Sequence, residues 1–150
     1  PEHFYLPVAC QQCRTPQCTM VCPVGATWQE PDGIVVIDYD WCIGCRFCMA
    51  GCPYGSRSFN WRDPRGGLPA KVPNPAYPTR MKGVVEKCTF CSERLDKNQP
   101  PACVEACTGK MLTFGDLQDA ASEVRALLKE HFTIRRKPNL GTQPQVFYIV

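Results

Sequence analysis

Two stretches decide the fold: residues 42–53, which read CIGCRFCMAGCP, and residues 10–23, which read CQQCRTPQCTMVCP. Each stretch holds four closely spaced cysteines and ends in Cys-Pro, at Cys52-Pro53 and at Cys22-Pro23. In such a loop three thiolates bind three corners of one iron-sulfur cube, and the fourth, followed by proline, binds the neighbouring cube. The two stretches therefore predict a pair of 4Fe-4S clusters that exchange one ligand each.

The exchange fixes both ligand sets. Each cluster takes three thiolates from its own stretch and the trailing cysteine of the other stretch. The predicted ligands of the first cluster are Cys10, Cys13, Cys18 and Cys52. Those of the second cluster are Cys42, Cys45, Cys48 and Cys22.

A third group of cysteines has a different spacing, C-x2-C-x11-C-x3-C, and has Thr108 where the other two motifs have proline. Its members are Cys88, Cys91, Cys103 and Cys107. If the group acts alone, its four thiolates close one cluster and the total is three. If another motif lies upstream of Pro1, crossed pairing gives Cys88, Cys91 and Cys103 one thiolate from that motif and sends Cys107 to a fourth cluster.

Zinc and disulfides are the competing uses of so many cysteines. Zinc takes four thiolates from two C-x2-C pairs, a pattern that only the third group resembles. Disulfide frameworks of small secreted domains do not require cysteine triplets with a trailing Cys-Pro, and C-x2-C pairs are more typical of metal or redox sites. Iron-sulfur clusters therefore remain the favoured interpretation of all twelve cysteines.

The composition indicates one small, loop-rich domain. The chain has 150 residues with 12 cysteines, 15 prolines and 11 glycines, so metal ligation must supplement a modest apolar core. Its net charge of +3 comes from interspersed signs, which argues against nucleic-acid binding. No apolar run reaches the roughly 18 residues of a membrane span. Because the chain begins Pro1-Glu2-His3 without methionine, we expect an N-terminal segment to be missing.

An internal duplication organises residues 8–59, since the sequence CPVGA at 22–26 corresponds to CPYGS at 52–56. Between the halves, Asp32-Gly33 predicts a turn, with residues 27–29 and 34–38 as the arms of a hairpin. Residues 60–82 form an insertion rich in proline and glycine, either a docking surface or a covering loop. The third cysteine group follows at 88–107.

The C-terminal region, residues 116–150, predicts a helix and a strand. Asp119 can cap a helix that carries Val124, Leu127, Leu128 and Phe132 on one face. The apolar run at 145–150 is expected to add a strand to the small sheet. The fold class is therefore α+β: a ferredoxin-like polyferredoxin with duplicated cluster loops, a small antiparallel sheet and a C-terminal helix.

Several residues near the cysteines could serve either packing or redox chemistry. The aromatic side chains close to the motifs are expected to pack in the core and exclude water; they are Trp28, Trp41, Trp61, Phe47, Phe90 and Tyr54. Four cations could raise cluster potentials, although surface salt bridges are the favoured interpretation; they are Arg46, Arg57, Lys87 and Arg94. The two histidines, His3 and His131, lie beside no nucleophile, so no catalytic site is predicted.

Three strings carry a resemblance to a known family: CIGCRFCMAGCPYGSRSFNWRDPR at 42–65, KGVVEKCTFC at 82–91 and TIRRKPNLG at 133–141. The chain resembles the iron-sulfur electron-transfer subunits that accompany molybdopterin oxidoreductases, as in dimethyl sulfoxide and polysulfide reductases. Within that family the strings are most similar to the periplasmic iron-sulfur subunits of Dsr membrane complexes.

The resemblance implies a four-motif protein of which this chain begins at the second motif. It also implies export of the folded protein by the twin-arginine route to the periplasm, or the outer face of the cytoplasmic membrane. The implied partners are a quinone-interacting integral membrane subunit and a second redox subunit, a multihaem cytochrome or a molybdopterin protein. The chain itself is expected to have no membrane span.

The sequence thus predicts a non-catalytic subunit that relays single electrons through 4Fe-4S clusters. One alternative is a structural metal-binding module that uses zinc or clusters only to hold its loops together. Another is an enzyme subunit in which one cluster keeps an open iron for substrate. Iron analysis and redox titration separate the first two hypotheses.

Overall fold

A computed structural model describes residues 6–67 and 80–150 of the chain. His3 and most of the predicted insertion at 60–82 lie outside the described residues. The described chain consists of short helices and two-stranded antiparallel sheets joined by loops. It is a loop-rich arrangement, in agreement with the prediction from its proline, glycine and cysteine content.

The predicted hairpin is present at the centre of the chain. Strand β1 (Thr27–Gln29) pairs with β2 (Val35–Ile37), with Thr27 opposite Ile37 and Gln29 opposite Val35. The turn between them closes where the Gly33 N–H donates to Glu30 O at 2.9 Å and the Ile34 N–H donates to Asp32 Oδ1 at 2.9 Å. Every residue of β2 is buried, so the second arm of the hairpin is part of the core.

The duplicated cysteine stretches each form one short helix that packs against the other. Helix α1 (Gln17–Met20) contains Cys18, and helix α2 (Phe47–Ala50) contains Cys48. Cys48 is buried in one cluster with Ile37 and Val85, and Cys18 and Cys42 pack against that cluster. Three of the predicted metal ligands are therefore part of the apolar core or pack against it.

The remaining elements surround this centre. Strand β3 (Ser58–Phe59) pairs with β4 (Val85–Glu86), and two further short helices follow, α3 (Ser92–Leu95) and α4 (Ala102–Glu105). An eight-residue helix α5 (Glu123–Glu130) precedes strand β5 (Thr133–Ile134), which pairs with β6 (Tyr148–Ile149). Two short 3-10 helices complete the described chain, at Pro64–Gly67 and Pro138–Leu140.

Three details of the C-terminal prediction are wrong. Ser122, not Asp119, precedes α5, and the Asp119 carboxylate instead accepts the Ala121 N–H in the turn before it. Phe132 lies beyond the helix and is 75% exposed. Strand β6 pairs with β5 in a sheet of its own and does not extend the β1–β2 hairpin, because the chain returns to pair with its nearest available strand.

The segment before β6 returns to the first cysteine stretch. The Arg14 N–H donates to Gln143 O at 2.9 Å, Thr15 N–H donates to Thr142 O at 3.1 Å, and Gln145 N–H donates to Gln11 O at 2.9 Å. Residues 142–145 are thereby held along residues 11–15. Among the described residues, no helix combines the length and the apolar character needed to cross a bilayer.

Gly44 is a position where the fold depends on the absence of a side chain. Its φ is +68°, and a Cβ there would overlap the Gly83 carbonyl oxygen and approach Phe59 Cε2 at 3.0 Å. We expect Gly44→Ala to lower the free energy of unfolding by about 2 to 4 kcal/mol, because backbone strain and overlap act together. Urea-induced unfolding followed by circular dichroism measures this loss.

The matched control is Gly66→Ala. No described residue lies within 4 Å of a Cβ built at Gly66, and its φ is outside the positive range. This variant should unfold within about 0.5 kcal/mol of the unaltered protein. Equal effects of the two substitutions would contradict the account given for Gly44.

Candidate iron-sulfur cluster sites

The first C-x2-C pair of each cysteine group contains the same backbone bend. The second residue between the paired cysteines has a positive φ in each: Gln12 at 42°, Gly44 at 68° and Phe90 at 60°. A left-handed residue inside such a loop turns neighbouring N–H groups toward its concave side, where an anion can accept them. At the third pair the Phe90 N–H donates to Cys88 Sγ at 3.4 Å.

The three C-x3-C segments also repeat one geometry. The N–H group three residues after the last cysteine donates to that cysteine's carbonyl in each: Gly25 to Cys22 at 3.4 Å, Gly55 to Cys52 at 3.3 Å and Lys110 to Cys107 at 3.0 Å. The donors all have positive φ, with values of 66°, 64° and 50°. The third group therefore forms the same turn as the other two, although it has Thr108 in place of proline.

The thiols of the first predicted set interact with one another. Burial raises the pKa of the Cys13 thiol, and electrostatic repulsion from Cys10, Cys18 and Cys52 raises it further. A hydrogen bond from the buried Thr142 side chain lowers the pKa of Cys13 and so opposes these effects. Cys52 thus lies with the three cysteines of the first stretch, although it belongs to the second.

The thiols of the second predicted set line a common cavity. Its walls include Cys22, Cys42, Cys45 and Cys48, together with apolar side chains such as Val24, Ile37 and Val85. The trailing cysteine of the first stretch therefore meets the three cysteines of the second stretch. Burial raises the pKa of the Cys48 thiol, and the neighbouring Arg57 guanidinium opposes that rise.

Backbone amides act on the Cys22 thiol. Burial disfavours its thiolate, but backbone N–H groups of the residues that follow together lower its pKa below the ordinary value. These donors belong to Val24, Thr27, Ala26 and Gly25. The turn after Cys22 therefore presents a row of amides to negative charge on sulfur.

The third group is more open. Cys88 and Cys103 are exposed residues, and Cys91 and Cys107 are partly buried. The Cys88 thiol interacts electrostatically with Cys91 of its own group and with Cys10 of the first. The Met111 N–H donates to Cys107 Sγ at 3.3 Å.

The donor sets fit sulfur-ligated clusters better than a single ion. Within residues 6–67 and 80–150, no three His, Cys, Asp or Glu side chains are close enough to hold one metal ion. The thiols instead border shared spaces, one of them the cavity lined by four cysteines. Backbone amides face the sulfur of Cys22, as they do around the sulfurs of iron-sulfur centres.

Of the four cations near the motifs, two are buried, which contradicts the expectation of surface salt bridges for them. Arg57 and Lys87 are 5% and 8% exposed. Arg94 does pair with Glu105 at the surface. Arg46 is exposed, with its guanidinium carbon 5.3 Å from the ring centre of Phe59 and 4.9 Å from that of Trp61.

Most of the aromatic residues near the cysteines do not pack in the core, so that prediction is also wrong. Trp41, Trp61 and Phe47 are exposed by 60% or more, and Trp28 by 41%. Tyr54 is buried, and its hydroxyl is hydrogen-bonded to Thr142 Oγ1. Phe90 is half-buried and meets Phe114 edge-on at 5.3 Å.

Two residues with a structural role at the site carried no signal in the sequence. Gln12 donates from Nε2 to Cys88 O at 2.9 Å and accepts the Val35 N–H at Oε1 at 2.9 Å, so it ties the first loop to the third. Thr142 lies more than a hundred residues from Cys13 along the chain. Only long-range contacts reveal either role.

Comparison with known proteins gives one family and a set of relatives. The model of a 4Fe-4S dicluster domain matches residues 1–66 and, a second time, residues 56–117. The chain is 49% identical over 99% of its length to Hdr-like menaquinol oxidoreductase iron-sulfur subunit 1 of Archaeoglobus fulgidus, of which it covers 58%.

Two further relatives carry related names. The chain is 42% identical, over 99% of its length, to the iron-sulfur cluster-binding subunit of menaquinone reductase of Nitratidesulfovibrio vulgaris, covering 67% of it. It is 37% identical, over 94% of its length, to the B subunit of polysulfide reductase of Wolinella succinogenes, covering 64% of it. The chain spans little more than half the length of several curated relatives that it matches.

The turn after Cys107 provides a test of the repeated geometry. Lys110 has a φ of 50° where the first two motifs have glycine. We expect Lys110→Gly to leave the free energy of unfolding unchanged or to raise it by up to about 1 kcal/mol, because relief of strain offsets the greater freedom of the unfolded chain. The measurement is urea-induced unfolding.

Lys97→Gly is the matched control, since Lys97 is exposed and has no positive φ. The same chemical change there should destabilise the protein by about 0.5 to 1 kcal/mol. If Lys110→Gly lost as much stability as Lys97→Gly, the third turn would not have the geometry of the other two.

Proposed function

The chain belongs to the 4Fe-4S dicluster domain family, and on that basis we propose that it relays single electrons within a membrane-associated respiratory complex. The resemblance to the iron-sulfur subunits of reductase complexes is confirmed by its relatives. One observation carries the proposal: Cys22, from the first stretch, lines the same cavity as the three cysteines of the second. This shared lining supports the ligand exchange that we propose for two adjacent clusters.

The ligand sets of the proposal are those of the crossed arrangement. Cys10, Cys13, Cys18 and Cys52 hold the first cluster, and Cys42, Cys45, Cys48 and Cys22 hold the second. Each 4Fe-4S cluster, when bound, accepts one electron and passes it on without making or breaking a bond in the protein. The chain supplies the thiolates, the amides that face Cys22 and a partly buried environment that limits water.

Four further thiolates, from Cys88, Cys91, Cys103 and Cys107, hold a third cluster in this proposal. The repeated bends at Phe90 and Lys110 support it, since they give the third group the backbone of the other two. A fourth cluster would need thiolates beyond residues 1–150, because twelve cysteines suffice for three. The chain is then one polyferredoxin domain, with a two-cluster core at about 8–59 and the third motif at 88–107.

The partners follow from the names of the relatives, which include a menaquinol oxidoreductase, a menaquinone reductase and a polysulfide reductase. We infer that electrons pass between a quinone-interacting integral membrane subunit and a second redox subunit, a multihaem cytochrome or a molybdopterin protein. Chemistry on the substrate belongs to those subunits, and this chain is not catalytic. The proposed location is the periplasmic face of the membrane, in the Dsr type of complex.

The crossed assignment predicts which cluster each trailing cysteine serves. Cys52→Ser should alter the same cluster as Cys13→Ser, and Cys22→Ser the same cluster as Cys45→Ser, because each trailing thiolate binds the other stretch's cluster. The measurement is electron paramagnetic resonance during a redox titration, which separates the clusters by potential and spectrum. The unaltered protein should hold about twelve iron atoms per chain.

Local ligation predicts the opposite pairing, with Cys52→Ser matching Cys45→Ser, and such a result would overturn the ligand sets. Protein that binds zinc in place of iron, or whose iron neither accepts nor donates electrons, would instead support the structural metal-binding module. His131→Gln is the control, since His131 is exposed and belongs to no motif. It should leave every cluster signal unchanged.

A further inference from the structure

Within the described residues, the buried cations Arg57 and Lys87 have no carboxylate partner. The ion pairs among residues 6–67 and 80–150 are Arg65–Asp63 and Arg94–Glu105, and neither involves Arg57 or Lys87. A buried charge is costly unless an opposite charge or several hydrogen bonds compensate it. The compensation for Arg57 and Lys87 must therefore come from another source.

Arg57 lies between the first and second ligand sets. Its Nη2 donates to Thr27 Oγ1 at 2.9 Å, while its buried Nε and Nη1 form no hydrogen bond of standard geometry with any residue that the structure describes. Burial opposes its charge, but the Cys18 and Cys48 sulfur groups outweigh burial and raise the pKa of the guanidinium. Cys18 belongs to the first predicted cluster and Cys48 to the second.

Lys87 lies between the first and third ligand sets. Its ammonium group donates to Cys88 O at 2.6 Å and also to Val35 O. Burial lowers the pKa of Lys87 and the charge of Arg57 lowers it further, while the Cys10, Cys88 and Cys18 sulfur groups oppose that effect. Gln12 bonds to the same two residues, accepting the Val35 N–H and donating to Cys88 O, which fixes the carbonyls that hold the ammonium group.

We propose that Arg57 and Lys87 are the internal counter-charges of the cluster row, with Arg57 serving the first and second clusters and Lys87 the first and third. The inference rests on the proposed function, because it requires clusters on the thiols. It assigns the first cluster the central place, between two cations and between the other two clusters. The sulfur groups that favour the Arg57 charge belong to the first cluster, through Cys18, and to the second, through Cys48.

As a consequence, the two cations raise the redox potentials of the clusters by unequal amounts. Reduction adds one negative charge to a cluster, and a nearby cation in a low-dielectric interior stabilises the reduced form more than the oxidised form. Arg57 and Lys87 therefore raise the potentials of the clusters beside them. The first cluster, which alone borders both cations, gains the most.

The experiment replaces each cation by a neutral side chain in the cluster-loaded protein and measures every midpoint potential by paramagnetic resonance. Arg57→Gln should lower the reduced-to-oxidised ratio of the first and second clusters by about tenfold at fixed solution potential, which is about 59 mV for one electron. Lys87→Gln should do the same for the first and third clusters. In the double variant the two shifts should add at the first cluster alone.

Arg46→Gln is the matched control. Arg46 follows Cys45 directly and carries the same charge, but it is exposed and its field is screened by water. Its removal should change the ratio of the second cluster by less than about threefold. Arg57→Lys, which keeps the charge, should restore most of the potential lost in Arg57→Gln.

The outcomes distinguish this inference from the proposed function. No redox-active iron in the unaltered protein would refute the proposed function itself. Clusters present in Arg57→Gln and Lys87→Gln with shifts no larger than that of Arg46→Gln would overturn the counter-charge role. If Arg57→Gln loses a cluster, Arg57→Lys decides: potentials near those of the unaltered protein support the role, and a tenfold fall at the first two clusters overturns it.

Discussion

Negative charge on sulfur, held inside a chain with little apolar core, is the constraint on which the rest of this structure depends. Thiolates need hydrogen bonds or cations when water is excluded. Few apolar residues of the described chain are buried, and one ligand, Cys48, is itself a core residue beside Ile37 and Val85. Core packing and cluster binding thus depend on the same residues, and a change that disturbs one disturbs the other.

Each of the three cysteine groups contains the same two backbone bends. A left-handed residue inside each C-x2-C pair and another after each C-x3-C segment turn N–H groups toward sulfur. Glycine is the residue that adopts this conformation without cost. Because Gln12, Phe90 and Lys110 adopt it as well, the surrounding contacts must hold the bend, as the two hydrogen bonds of Gln12 do.

Local sequence patterns predicted the structural features that depend on interactions between neighbouring residues. The Asp32-Gly33 turn and the β-branched run after it predicted the hairpin, because turn geometry and side-chain alternation act within a few residues. The pairing of β6 with β5, the exposure of Trp41 and the burial of Lys87 depend on contacts between distant segments, and composition around the cysteines gave no guide to them. Arg57 lies five residues after Cys52 and Arg94 three residues after Cys91, yet only Arg57 is buried.

A difference between the two duplicated halves explains the burial of Arg57. Thr27 and Arg57 occupy equivalent positions, each five residues after the trailing cysteine of its motif. The two side chains meet, with Arg57 Nη2 donating to Thr27 Oγ1, while the threonine hydroxyl donates to Val36 O at 2.6 Å. Two arginines there would repel each other, and two threonines would leave the thiols of Cys18 and Cys48 without a cation. One cation shared across the junction of the two halves is the arrangement that serves both ligand sets.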